Sequence, residues 1–194
     1  MNLSELDFYI TLQTESVSLR PMQVTDYEKF KPISSYPMWK HFTQDLADSE
    51  HLKLWVEESI LARERKTRIP FSIVNRHTGD IMGSTSFGNI SKRDRRLEIG
   101  WTWLGKPFHG TGINEQVKYL LLKYSFETLD YERVEAKTDV LNAPARNAMK
   151  RLGMIEEGVL RSHTLMTSGR RRDTIFYSVL KSEWNDLKRY NNWL

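Results

Sequence analysis

Residues able to do chemistry gather in two neighbouring stretches of the chain. The first, Lys106-Pro107-Phe108-His109-Gly110-Thr111-Gly112-Ile113-Asn114, lies between a strand-like and a helix-like segment. A helix N-terminus leaves backbone N–H groups unpaired and carries partial positive charge, so an anion seated there is stabilised. Gly110 and Gly112 permit close backbone approach and dihedrals that a Cβ would forbid. The stretch therefore suits a pyrophosphate, although a glycine loop without a ligand reads the same way. It lacks both the Gly-Lys-Ser/Thr ending of a nucleoside triphosphate loop and the third glycine of the dinucleotide fingerprint. In the second stretch, Leu97-Glu98-Ile99-Gly100-Trp101-Thr102-Trp103, strand alternation predicts one face of large apolar side chains at the odd positions. Glu98, Gly100 and Thr102 then share the other face. A carboxylate there can act as a general base, directly or through water, or can pair with Arg93, Arg95 or Arg96.

These residues need a scaffold, and the pattern of the chain describes one. Val17 to Arg20 reads as a strand ending at Pro21, followed by a helix from Thr25 and Asp26 toward Phe30. Ser34 to Asp48 reads as loop or short helix, broken by Pro37 and holding Tyr36, Trp39, His41 and Phe42. Asp48 or Ser49 caps a helix with Leu52, Trp55, Val56, Ser59 and Ile60 on one face. Phe71 to Val74 and Ile81 to Phe87 form a hairpin about Thr78-Gly79-Asp80. A helix over roughly Gly112 to Thr128 carries Ile113, Val117, Leu120, Leu121 and Tyr124 at helical spacing, and Arg133 to Thr138 is a strand. Asn142 caps a short helix that Gly153 ends. Met154 to Leu160 and Thr174 to Leu180 are strands about Thr167-Ser168-Gly169, and Lys181 to Tyr190 is a closing helix. Hairpins and crossovers together predict a mixed α/β sheet with helices on its faces.

Composition narrows the function. A chain of 194 residues with 39% hydrophobic and 28% charged residues suits a single domain over 1–194 and excludes a disordered chain. No apolar run approaches membrane-spanning length and the N-terminus has no signal-peptide pattern, so a cytoplasmic protein without membrane partners is expected. The absence of cysteine removes disulfides and thiolate catalysis. Five histidines without a His-Glu-x-x-His spacing give no reason to expect a metal. Arg146 to Arg172 holds seven basic residues against two acidic, which exceeds the whole chain's net charge of +4. Such a patch could hold a phosphorylated ligand or nucleic acid, but no nucleic-acid reader motif accompanies it and a solvated face is favoured.

The order of motifs from Leu97 to Leu180 is more specific than any one of them. After Leu-Glu-Ile-Gly-Trp-Thr-Trp and Gly-Thr-Gly come Arg-Val-Glu-Ala-Lys-Thr-Asp-Val-Leu-Asn, Lys-Arg-Leu-Gly-Met and Glu-Glu-Gly-Val-Leu-Arg. This series, with Ser18-Leu19-Arg20-Pro21 before it, closely resembles the GNAT superfamily of N-acetyltransferases, in the branch similar to RimJ/RimL. The resemblance implies a twisted, mostly antiparallel sheet splayed open near Trp101, with helices on both faces and acetyl-CoA in the wedge. It implies that the backbone of Trp101, Thr102, Trp103 and Leu104 pairs with pantetheine. His109, Gly110, Thr111, Gly112, Ile113 and Asn114 then hold the pyrophosphate, with Asn142 and Lys150 at the cofactor as well.

On the same footing Glu98 is the base, and a strand N–H polarises the thioester carbonyl. The family's proton donors are missing: Met149 stands seven residues after the motif asparagine and Ala145 three after it, leaving Tyr177, His163 or water. Tyr36, Trp39 and His41, in an irregular segment where specificity can vary, are the candidate acceptor-binding residues. The expected activity is acetyl transfer to a primary amine, either a small molecule or a peptide N-terminus, by direct attack in a ternary complex. A homodimer is compatible with the resemblance. The alternatives are a CoA-binding regulatory module without turnover and, with less support, a basic nucleic-acid-binding domain.

Overall fold

The structure is a computed structural model and describes residues 6–35 and 38–193. Its frame is an eight-stranded sheet made of β1 (Leu12–Gln13), β2 (Val17–Pro21), β3 (Ile69–Asn75), β4 (Ile81–Ser91), β5 (Arg96–Leu104), β6 (Arg133–Asp139), β7 (Ile155–Leu165) and β8 (Arg171–Leu180). The spatial order is β1-β2-β3-β4-β5-β6-β8-β7. Every neighbouring pair is antiparallel except β5 and β6. A parallel pair needs a crossover, and α3 (Ile113–Lys123) supplies it. The other helices are α1 (Asp26–Phe30), α2 (Ser49–Glu64), α4 (Ala143–Leu152) and α5 (Trp184–Tyr190).

Two cores clothe the sheet. The larger collects Leu19, Phe71, Phe87, Leu97 and Ile99 with Val117 and Leu121 of α3, Met149 and Leu152 of α4, and Trp184 and Leu187 of α5. The smaller joins Phe30 of α1 and Leu52, Trp55 and Val56 of α2 to Trp39 and Trp103. Most predicted elements appear close to their expected bounds, but β1 is not among those expected, β4 runs past Phe87 to Ser91, and two further elements differ. The β7–β8 hairpin extends beyond the strands read from the sequence, because β7 is an exposed edge whose apolar content gives no burial signal. The long helix ends as α-helix at Lys123 and continues as a wider turn over Tyr124–Thr128. Asp48 is the cap of α2: its side chain accepts from the Glu50 and His51 N–H groups.

The first β–α connection is locked by a buried carboxylate rather than by a cap. Thr25 makes no side-chain capping bond to α1. Instead Asp26, 2% exposed, receives Arg20 Nη2 at 2.6 Å and Nη1 at 2.8 Å, and also the Ser72 hydroxyl at 2.6 Å and the Gln23 N–H at 2.9 Å. Burial pushes the pKa of this carboxyl up, but the bonds from Arg20, Ser72 and Gln23 outweigh it and hold the pKa below the ordinary range. Its contribution is therefore complete above the unfolded carboxyl pKa and is lost as pH falls through the lower folded one. Asp26→Asn should cost about 2–3 kcal/mol in urea unfolding at neutral pH, below the fully buried case because Arg20 still meets water. The variant should also unfold with a shallower acid limb than the parent below about pH 4; identical acid limbs would remove Asp26 as a stabilising charge.

Candidate functional site

The parallel ladder between β5 and β6 is short. It covers Arg96↔Arg133, Leu97↔Val134 and Glu98↔Glu135, and then the strands part. β6 goes on pairing with β8 as far as Asp139↔Thr174, and β5 goes on pairing with β4 as far as Leu104↔Gly83. Ile99 to Leu104 consequently turns its β6-side backbone groups toward a wedge instead of toward a strand.

A bulge on β5 accompanies the parting. Ser86 faces Gly100 but Ser84 faces Trp103, so two residues of β5 stand opposite Thr85. Trp101 takes a left-handed φ of 51°, which costs a non-glycine residue about 1–2 kcal/mol. Its indole lies over Gly88 of β4, and the Arg68 guanidinium stacks 4.9 Å from the ring centre. The bulge also corrects the alternation expected from the sequence. Leu97, Ile99 and Leu104 belong to the larger core while Trp103 belongs to the smaller, so the strand exchanges its faces at Trp101. Trp101 itself is 37% exposed, and Thr102 moves to the face that meets α3 instead of sharing Glu98's.

Beyond β5 the chain makes a tight turn over Lys106–Phe108 and enters α3 through Gly112. His109 Nε2 bonds the Leu104 carbonyl at 2.8 Å and the Thr111 hydroxyl donates to the Phe108 carbonyl at 2.7 Å, so both side chains pin the loop. Gly110 and Gly112 have left-handed φ values of 72° and 80°, and a Cβ on either would meet nothing within 4 Å. Open space thus lies directly before α3, and no side chain caps the helix over Ile113 and Asn114. A pyrophosphate fits this arrangement.

Glu98 lies at the last rung of the ladder, 4% exposed. Its Oε2 receives Asn89 Nδ2 at 2.6 Å and Lys137 Nζ at 2.8 Å. None of the expected arginines pairs with it; Arg95 is engaged with Asp130 and Glu132, and Arg96 with Asp94 and Glu135. Lys137 in turn lies 5.8 Å from the centre of the Phe176 ring. Farther along β6, buried Asp139 pairs with Arg170, and His41 Nδ1 stands 3.8 Å from its Oδ2. Burial raises the Asp139 pKa, and the Leu141 N–H with the Arg170 guanidinium outweighs that and lowers it overall.

Other expected residues have definite partners. Asn142 Oδ1 accepts the Ala145 N–H as the cap of α4 and its Nδ2 donates to Thr138 Oγ1, while Lys150 pairs with Glu156 at 3.1 Å. Trp39 is a core residue, its Nε1 donating to Ser34 and its ring 5.2 Å from Trp103, and it also lines a small aromatic recess with Phe42 and Trp101. Tyr36 lies outside the described residues. The Tyr177 hydroxyl donates to Glu156 and receives Arg146, and His163 Nδ1 bonds Thr174 beside Phe176. The basic segment is largely neutralised or bonded: Arg146 and Lys150 with Glu156, Arg170 with Asp139, Arg171 with Ser162, Arg172 with Thr174. Among the described residues no cluster of three or more metal-ligating side chains forms, and no helix is long and apolar enough to cross a membrane.

One residue at the wedge escaped the sequence reading. Lys118 of α3 donates to Thr102 Oγ1 at 3.2 Å, and burial lowers its pKa to about 8. The signal available was a cation set among Val117, Leu121 and Leu122 on a helix otherwise read for its apolar positions.

Comparison with known proteins identifies the family. The family model described as "Acetyltransferase (GNAT) domain" matches residues 16–155. "Uncharacterized N-acetyltransferase p20" of Bacillus licheniformis is 28% identical over 180 residues, 90% of this chain and 98% of that protein. "Putative ribosomal N-acetyltransferase YdaF" of Bacillus subtilis is 36% identical over 112 residues, 58% of this chain and 60% of its own length. A crystal structure described as a "putative acetyltransferase" from T. thermophilus superposes with a TM-score of 0.87 at 30% identity, covering 97% of this chain and 99% of that one.

The seat of Trp101 can be tested directly. A Cβ on Gly88 would fall 2.4 Å from Trp101 Cζ3 and 2.6 Å from Cη2. Gly88→Ala should lower stability by about 1–3 kcal/mol through overpacking. Most of that loss should disappear in the Trp101→Ala background, where no ring opposes the methyl group. Equal losses in both backgrounds, read from urea midpoints, would show that the indole does not rest on Gly88.

Proposed function

The chain belongs to the GNAT acetyltransferases, in the branch similar to RimJ/RimL, and from that membership we propose that it acetylates a primary amine with acetyl-CoA, using Glu98 as the base. Acetyl transfer is the activity common to the family, and acetyl-CoA is its usual donor. The observation that carries the reading is the parting of β5 from β6 immediately before an uncapped helix N-terminus. A long ligand with an anionic end and amide groups along its arm matches that combination. When bound, acetyl-CoA supplies a thioester carbonyl open to attack by an amine.

In this reading each part of the chain has a task. The N–H groups from Gly110 to Asn114 hold the pyrophosphate, with His109 and Thr111 keeping the loop in shape. The wedge-side N–H and C=O groups of Trp101 to Leu104, which have no strand partner there, pair with the pantetheine amides. A β5 N–H at the bulge polarises the carbonyl; losing such a donor typically costs ~2.7–4 kcal/mol of transition-state stabilisation. Glu98, its orientation fixed by Asn89 and Lys137, takes the proton of the amine directly or through water. Asn142 acts by shaping the start of α4, and Lys150 stands farther along the same helix.

The acceptor approaches on the Glu98 face, past the recess of Trp39, Phe42 and Trp101 and the His41–Asp139 pair. A peptide α-amine is favoured by the similarity to YdaF, named for ribosomal N-acetylation. A module that binds CoA without turnover is the second reading, favoured by Met149 and Ala145 at positions where related enzymes carry proton donors.

Thiol release from acetyl-CoA across a panel of peptides, amino acids and polyamines separates these readings, and turnover with at least one amine is expected. Glu98→Gln should lower kcat by about 10²–10⁴-fold while calorimetric CoA affinity stays within about twofold; an unchanged pH–rate profile would remove Glu98 as base. Gly112→Val forces a β-branched residue to a φ of 80° and fills the open space before α3, so CoA affinity should fall at least about tenfold. Failure of the parent protein to bind millimolar CoA would end the whole reading.

A further inference from the structure

We propose that Lys118 donates the proton taken up by the sulfur of CoA as the thioester breaks. The inference rests on the acetyl-CoA reading above and concerns the step for which the sequence offers no family residue. Successive residues of α3 point to successive parts of the sheet. Gln116 reaches Thr14 and Ser16 beside β1 and β2 at 2.6 and 2.8 Å, and Val117 enters the larger core. Lys118, one step farther round, reaches β5 and donates to Thr102 Oγ1 at 3.2 Å. The Thr102 hydroxyl is 2.8 Å from Thr85 Oγ1 and 3.4 Å from the Gly100 carbonyl oxygen. The ammonium therefore lies against the bulge, where β5 has left β6 and where the proposed reaction puts the thioester.

Among the described residues no carboxylate comes within ion-pair distance of Lys118, and a neutral hydroxyl is its hydrogen-bond partner. The charged groups of the surrounding elements do not answer it. β4 carries no ionisable side chain, and on β5 Arg96 pairs with Asp94 and Glu135 while Glu98, on the opposite face, pairs with Lys137. On α4, Arg146 and Lys150 are held by Glu156, and on α3 Glu115 is exposed in the first turn. A half-buried ammonium without a counter-ion loses hydration that one hydroxyl replaces only in part. Burial brings its pKa down to about 8, close to the ~8.5 of a simple thiol, the match that favours proton transfer near neutral pH. The other candidates are worse placed. Met149 and Ala145 have no acidic proton, the Tyr177 hydroxyl is committed to Glu156 and Arg146, and His163 packs on Phe176.

In the step, the amine nitrogen forms a bond to the carbonyl carbon and its proton passes to Glu98 or water. The C–S bond breaks with its electron pair on sulfur, which takes the proton of Lys118. The neutral lysine then regains a proton from water. Lys118→Met should reduce kcat by about 10²-fold and abolish the fall of kcat above pH 8 expected of the parent, with CoA affinity within about threefold. Lys118→Arg keeps the charge but cannot release a proton, so it should be as slow as Lys118→Met. A readout independent of turnover is the NMR titration of dimethylated lysines in the protein. One resonance, missing in both variants, should titrate well below the ordinary lysine value of ~10.4. Wild-type kcat in Lys118→Arg would overturn the proposal in favour of a charge effect, and lost CoA affinity with unchanged kcat would make Lys118 a binding residue. Acetylation of Lys118 itself, seen by mass spectrometry, would make it an acceptor instead. If Lys118→Met does not fold, Lys118→Arg and the titration still decide. A parent protein that binds no CoA would defeat the acetyl-CoA reading while leaving the titration of Lys118 to stand.

Discussion

The rest of the structure depends on a hydrogen-bond ladder that stops after three rungs. Backbone N–H and C=O groups inside a fold need partners, and a sheet normally supplies them from strand to strand. Between β5 and β6 that supply ends at Glu98↔Glu135, although both strands run on for several residues. The result is an edge in the middle of a sheet rather than at its rim. A rim edge attracts another strand; this one is backed by α3 and α4, which pack into the same core. In the acetyl-CoA reading, what it accepts is slender, amide-bearing and anchored at one end. The anchor follows from connectivity, because a parallel pair requires a crossover helix and α3 must begin where β5 ends.

The strain this arrangement requires is offset locally. Trp101 holds a left-handed backbone, and the surroundings answer with a glycine beneath its ring and a guanidinium above it. The smaller core holds the neighbouring Trp103 from below, with the rings of Phe30, Trp39 and Trp55 between 5.2 and 6.4 Å from it. Asp26 ties the start of α1 to β2 and β3 and so fixes the layer that carries those rings. The two halves of the sheet can thus differ in angle at the wedge without loosening the strands on either side.

Much of this was legible because the relevant signals are local. Asp48 as a cap, Gly153 at a φ of 92° as a stop, and the glycines before α3 each follow from one residue's conformational preference. Most strands were legible for the same reason, since alternation needs only a few neighbours. The bulge was not, because an extra residue in a strand leaves the composition unchanged and shows only in the register with β4. Regular alternation places Thr102 on the opposite face from the one it occupies and so conceals its contact with Lys118. The partner of Glu98 is hidden for a similar reason. Arg93, Arg95 and Arg96 are near in sequence, but Lys137 is near in space, brought there by a parallel pairing that spacing along the chain does not reveal. The basic run from Arg146 to Arg172 is a patch only along the chain: Glu156 and Asp139 neutralise Arg146, Lys150 and Arg170 across strands and turns.

Charge is distributed unequally about β5, and the inequality bears on how a proton could move through the site. On the Glu98 face the buried carboxylates are matched, Glu98 by Lys137 and Asp139 by Arg170, so in the proposed reaction an arriving amine would meet carboxylates already held in place. On the other face Lys118 stands against Thr102 with no counter-ion among the described residues. Acetyl transfer to an amine removes a proton from nitrogen and delivers one to sulfur, the two atoms lying on different sides of the same carbonyl carbon. A strand that exchanges its faces at Trp101 can present a proton acceptor before the bulge and a proton donor after it. With regular alternation Thr102 would point the same way as Glu98, and Lys118 of α3 would not meet it. In the proposed reaction the bulge would therefore do more than bend the strand: it would join the chemistry of two faces at the point where the ladder ends.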